Sequence, residues 1–139
     1  MSINKSLRQR VAEQARYRCG YCQLLELISG IPLTLEHIIP KAKNGSDDEE
    51  NLWLSCRLCN ESKGTLTEAI DPDSRNLVTL FNPRTQHWGD HFSWSENGLY
   101  VVGQTAIGRA TVVALELNQS FRVCSRAIWV EVGKHPPED

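Results

Sequence analysis

The sequence predicts an α+β fold: a ββα unit stapled by four cysteines, then a small extension made of a hairpin and helices. Three observations carry this reading. Two Cys-x-x-Cys pairs, Cys19 with Cys22 and Cys56 with Cys59, bracket a stretch of 33 residues. Within and just after that stretch the pattern runs strand, polar loop, short strand, helix. Further on, Asn97-Gly98 separates two strand-like runs, the strongest short-range hairpin signal.

The elements follow in order. Residues 6–16 read as a helix, with Ser6 as its cap and Leu7, Val11 and Ala15 recurring at i, i+4 and i+8. Cys19 to Cys22 forms a knuckle turn. Leu24, Leu25, Leu27 and Ile28 form an apolar segment that the sequence assigns to neither helix nor strand, ended by Gly30 and Pro32. Leu33 to Ile39 reads as a strand that Pro40 stops. Lys41 to Glu50 is a polar loop whose acidic run, Asp47 to Glu50, reads as solvated. Asn51 to Ser55 is a short strand, and a helix begins near Cys59 and reaches about Gly64. Leu77 to Phe81 is strand-like, and His91–Trp94 and Leu99–Val102 flank the hairpin turn. Thr105 can cap a helix to about Leu117. Ser120 to about Val132 reads as a helix, although Trp129 to Val132 alternates enough to allow a strand. The expected division is a core at 1–66 and an extension at 67–139 packed on it.

Composition narrows the class. With 139 residues, 40% of them hydrophobic, the chain suits one modest domain or a small core with an appendage. No run approaches the roughly 18 apolar residues of a spanning helix, and the first residues show no signal-peptide pattern. The expectation is a cytoplasmic protein with no membrane partner. A net charge of −2 excludes a generic polyanion binder. The first eighteen residues nevertheless carry Lys5, Arg8, Arg10, Arg16 and Arg18 against Glu13 alone, so a local basic face can form there.

Five cysteines in a chain without a leader argue against a disulfide framework. Each Cys-x-x-Cys turn can present two sulfurs to one metal. Two turns complete a zinc tetrahedron with no open position, so Cys19, Cys22, Cys56 and Cys59 are expected to hold a structural Zn2+. Cys124 is left over and reads as a small buried apolar residue.

Polar residues fill the bracketed stretch and its edge: Glu36-His37-Ile38-Ile39-Pro40, Asn51-Leu52, then Asn60 and Lys63-Gly64 after the second pair. Over residues 15–65 this set resembles the zinc-stapled branch of the HNH endonucleases. The resemblance implies a ββα-metal finger and phosphodiester hydrolysis. By it, His37 is the general base, and Glu36 and Asn60 hold a catalytic Mg2+ or Mn2+. Asn51 hydrogen-bonds across the loop to fix the backbone around His37, and Lys63 contacts a phosphate. Glu36 is a mild departure, since the family more often has Asp or His there. In a regular strand Glu36 and His37 face opposite ways, so the backbone must leave strand geometry if both serve one phosphate.

Residues 81–84 (Phe-Asn-Pro-Arg) and 108–111 (Gly-Arg-Ala-Thr) resemble the C-terminal extension of one bacterial HNH subgroup, for which the sequence gives no chemistry. Trp88, Phe92 and Trp94 read as core before base-stacking residues. Arg84 and Arg109 fit a phosphate clamp or buried structural arginines equally. His87 and His91 stand four apart, but Gly89 and the hairpin context weigh against a metal pair.

The expected activity is therefore a metal-dependent HNH endonuclease leaving 5′ phosphates, with nucleic acid, DNA by resemblance, as its partner. The alternative is a non-catalytic zinc-ribbon adaptor that binds nucleic acid, needing the four cysteines but not Glu36, His37 or Asn60. The sequence leaves open a homodimer or a partner protein, and the target specificity.

Overall fold

Asn4 starts the first helix. Its side chain accepts from the Leu7 amide at 2.8 Å, so the cap of α1 (Lys5–Gln14) lies two residues before the expected Ser6. The computed structural model describes residues 3–138. Met1, Ser2 and Asp139, the ends of the expected core and extension, lie outside the described residues. Two compact units emerge: Met1–Thr67 with Asn82–Gln86, and Glu68–Phe81 with His87–Asp139. The fold is mixed α+β, with small hairpins and helices throughout.

In the first unit, α1 buries Val11, Ala12 and Ala15 and packs on β2 (Leu52–Ser55). The first knuckle follows at once. The Cys19 amide donates to Leu24 O and the Gly20 amide to Leu54 O, both at 2.9 Å. Gly20 has no room for a side chain, because a Cβ would stand 2.3 Å from Trp53 Cδ1. The unassigned apolar segment forms a single turn, α2 (Glu26–Ser29), closed by left-handed Gly30. β1 (Thr34–His37) then pairs antiparallel with β2, from Thr34 opposite Ser55 to His37 opposite Leu52. The connection between them, residues 38–51, contains short 3₁₀ turns at Lys41–Lys43 and Glu49–Asn51. α3 (Arg57–Lys63) completes the ββα order, capped by the Cys56 sulfur accepting from the Cys59 amide.

Asn82–Gln86 returns late in the chain to this unit. Arg84 donates to Leu52 O at 3.1 Å and to Gln14 Oε1 at 2.7 Å, and its guanidinium lies 4.9 Å from the Trp53 ring centroid. Of the two readings the sequence allowed, these contacts match a structural arginine.

The second unit holds two more antiparallel pairs. β3 (Glu68–Ile70) pairs with β4 (Leu77–Thr79), and β5 (Phe92–Trp94) pairs with β6 (Val101–Gly103). Gly98 takes the left-handed turn position at φ +77°. A single helical turn, α4 (Trp88–His91), precedes β5. Thr105 caps α5 (Ala106–Ala114), which stops three residues before the expected Leu117. α6 (Ser120–Glu131) is helical throughout, including Trp129 and Val130. Phe92 is buried, stacked on Trp88 with centroids 5.1 Å apart and edge-on to Phe81. Trp88 also lies 5.3 Å from Trp94, so the three aromatics pack on one another. His91 Nδ1 lies within hydrogen-bond distance of the Thr105 hydroxyl, at 2.6 Å. Cys124 is exposed, contrary to the buried position expected of it: the inner side of α6 is taken by Arg122 and Arg126, and Cys124 falls on the outer one.

Asp71 organises the β3–β4 turn. It is fully buried, accepts from the Asp73 and Ser74 amides, and takes the Arg109 fork at 2.9 Å on each oxygen. Arg109 is therefore a structural clasp here. The Arg109 guanidinium, with help from Ser74, holds the Asp71 carboxyl well below the usual carboxylate range. A depressed folded value means the stabilisation is complete above the unfolded value of about 3.9 and is lost as pH falls through the folded one. Tryptophan fluorescence followed from neutral pH down to about pH 2 should show Asp71→Asn to be less stable at neutral pH, with a shallower further loss in acid. Equal acid slopes in the variant and the parent would remove Asp71 from this account.

Candidate active site

Four sulfurs meet at one point of the first unit. Cys19, Cys22, Cys56 and Cys59 are all buried, and their Sγ atoms lie within 4.8 Å of one another. Cys22 and Cys56 are 3.6 Å apart. A tetrahedral metal with sulfurs at about 2.3 Å spaces them by about 3.8 Å, so the donor set fits zinc. The surroundings are uneven. Hydrogen bonds from the three neighbouring thiols push Cys56 far down toward thiolate, while burial pushes Cys19 and Cys59 up. Among the described residues, these four form the one group of three or more His, Cys, Asp or Glu side chains placed to share a metal.

The cluster is tied to β2, through the Gly20 amide on Leu54 O and through Cys56 directly after Ser55, and β1 keeps strand geometry through His37. Glu36 and His37 therefore part to opposite sides. Glu36 turns inward and is 4% exposed. Its Oε1 lies 3.1 Å from Lys63 Nζ, and the Tyr21 phenol beside it favours the charged carboxylate. Burial pushes the Glu36 carboxyl up, against the opposing pull of Lys63, Tyr21 and His37. Lys63 is 2% exposed and also donates to Ile38 O at 3.0 Å and to His37 O at 3.4 Å. Three oxygens thus surround one buried ammonium.

His37 turns outward and stays half-buried. Its Nε2 sits 2.7 Å from Asp47 Oδ1, and Lys41 holds the other oxygen of Asp47 at 3.0 Å. Asn51 closes the loop between them. Its Oδ1 accepts from the Ile39 amide at 2.8 Å, and its Nδ2 donates to Ile39 O at 2.9 Å and to Ser46 O at 2.8 Å. Asn60 stands one turn before Lys63 on α3, half-buried, its side chain making no hydrogen bond among the described residues.

Residues 19–66 match the family model described as HNH endonuclease. The chain carries an HNH endonuclease domain. The CRISPR-associated endonuclease Cas9 of Corynebacterium diphtheriae is 32% identical to this chain over 91 residues, 58% of the chain and 8% of that protein. The chain therefore spans under a tenth of the length of that relative. No solved structure matches it.

The HNH domain spans every candidate named from the sequence: Glu36, His37, Asn51, Asn60, Lys63 and the four cysteines. The structure gathers them in subsets. It brings Glu36 to Lys63 and Tyr21, His37 to Asp47, and Asn51 to the backbone on both sides of the loop. It records no hydrogen bond between Glu36 and Asn60 among the described residues. Lys63, read from sequence as a phosphate contact, is instead buried in the domain. Two residues escaped the sequence reading. Tyr21 looked like filler within the first knuckle. Asp47 sat in an acidic run read as solvated, where in fact Asp47 pairs with His37 and Glu49 with Arg10 and Gln14. A hydrogen-bonding carboxylate ten residues past a candidate base was the available signal. Among the described residues, no helix is long and apolar enough to cross a membrane.

Proposed function

We propose that this HNH domain hydrolyses phosphodiester bonds in DNA, with His37 as general base, and that the four cysteines hold a structural zinc. The observation that best supports this is the His37 ring: outward-facing, half-buried, and carried at the end of β1 beside a loop that Asn51 clasps by three hydrogen bonds. A neutral imidazole so held can take a proton from water as the water attacks phosphorus in line. The products are a 5′ phosphate and a 3′ hydroxyl. Asn51 does its work through the backbone, keeping Ile39 and Ser46 in place on either side of the loop.

The oxygens of Glu36, His37 and Ile38 already surround one positive charge, so the donor chemistry suits a hard cation. Glu36 and Asn60 would hold Mg2+ or Mn2+, which supplies neutralisation of charge on the phosphoryl and leaving oxygens; serving the same phosphate as His37 requires β1 to leave the strand geometry that turns the two side chains apart. Lys63 competes with that ion for Glu36.

Supercoiled plasmid incubated with zinc-loaded protein, with and without Mg2+ or Mn2+, tests the reading. Metal-dependent nicking or linearisation is expected, and His37→Ala should abolish it. A folded, zinc-loaded protein that binds the plasmid but leaves it intact would support a non-catalytic zinc-ribbon adaptor instead.

A further inference from the structure

We propose that Asp47 is the positioning residue of His37: its carboxylate fixes the imidazole in the tautomer that leaves Nδ1 free to take a proton. The inference rests on His37 being the base, as proposed above, and adds the residue that makes it one. A carboxylate only accepts hydrogen bonds, so the 2.7 Å contact puts the proton of a neutral ring on Nε2. Nδ1 keeps its lone pair, and it makes no hydrogen bond among the described residues. Without Asp47 the two tautomers interconvert and the ring is free to turn about its bond to Cβ.

The loop is built to hold Asp47 there. Lys41 grips its second oxygen, and the hydrogen bonds from His37 and Lys41 lower its carboxyl, keeping it an acceptor. The preceding residue is fixed through Ser46 O by Asn51, and the following one through Asp48 O by the Asn51 amide at 2.9 Å. Gly45 turns tightly, donating to Pro40 O at 3.0 Å, and a Cβ there would stand 1.6 Å from Ile39 O. Asn51, Ser46, Asp47 and His37 form one continuous chain of support, in which each member is positioned by the one before.

Two measurements test this on zinc-loaded full-length protein. The first is the 15N spectrum of His37 at pH 8, assigned by its loss in His37→Gln. In the parent, Nε2 should read as protonated and Nδ1 as bare. Asp47→Ala should give a mixture of the two tautomers, and Asp47→Asn, whose carbonyl still accepts, should restore the parent signature. The second is plasmid cleavage with Mg2+. Asp47→Ala should lower kcat by about 10–100-fold with KM unchanged, and Asp47→Asn should recover much of it. An unchanged tautomer signature in Asp47→Ala would overturn the proposal, and so would a kcat loss that higher Mg2+ reverses, which would make Asp47 a metal ligand. If the tautomer depends on Asp47 but the parent cuts nothing, the nuclease reading fails while the pairing stands.

Discussion

Stripping the metal from the cysteine cluster is expected to unfold the first unit. Four sulfurs converge in its interior, where burial pushes the Cys19 and Cys59 thiols up. Structural zinc in comparable four-ligand sites binds with about 10–16 kcal/mol. A whole domain is stable by only about 5–15 kcal/mol net, so losing the metal can remove the entire net stability. The elements it joins are those the rest depends on. The first knuckle hydrogen-bonds to β2 through Gly20, and the second starts α3 through Cys56. A strong chelator should release one zinc per chain and abolish amide-exchange protection in β1, β2 and α3, and Cys59→Ser should do the same. Retained protection after complete release would mean that the apolar core suffices on its own.

Replacing Lys63 should carry the next largest penalty. Lys63→Met leaves the Glu36 carboxylate buried without its ammonium, and breaking one side of a buried pair costs about 3–5 kcal/mol. The Tyr21 phenol remains beside it, but a neutral hydroxyl does not replace a charge. Removing both charges, in Glu36→Gln with Lys63→Met, should recover part of the loss, since paired groups couple strongly. Urea unfolding of the zinc-loaded variants measures this. A loss below about 1 kcal/mol in the single variant, the range of an exposed pair, would contradict the buried pair. The same variant probes the proposed cation site without any cleavage assay. Mg2+ should stabilise Lys63→Met more than the parent, because a divalent ion can then reach Glu36 unopposed.

The parts of this fold that were legible in sequence are those whose chemistry is local. A Cys-x-x-Cys turn presents two sulfurs whatever surrounds it, Asn97-Gly98 makes a hairpin turn by its own φ preference, and Thr105 caps the helix beside it. The parts that were not legible depend on distant partners. β3 is three residues long, too short to show alternation, and exists because Leu77–Thr79 pairs with it. Asp47 looks like its acidic neighbours until the loop folds it onto His37. Lysine is almost never fully buried unless paired, so nothing near Lys63 in the chain announces that Glu36, 27 positions earlier, would draw it inside. Cys124 shows the reverse. A small apolar residue is usually interior, yet two arginines claim the inner side of its helix.

Tyr21 stands between Cys19 and Cys22, and its hydroxyl reaches Glu36. That single side chain ties the knuckle to the acid on β1 beside Lys63. The thiolate cluster and the carboxylate are therefore expected to open together, as one cooperative unit.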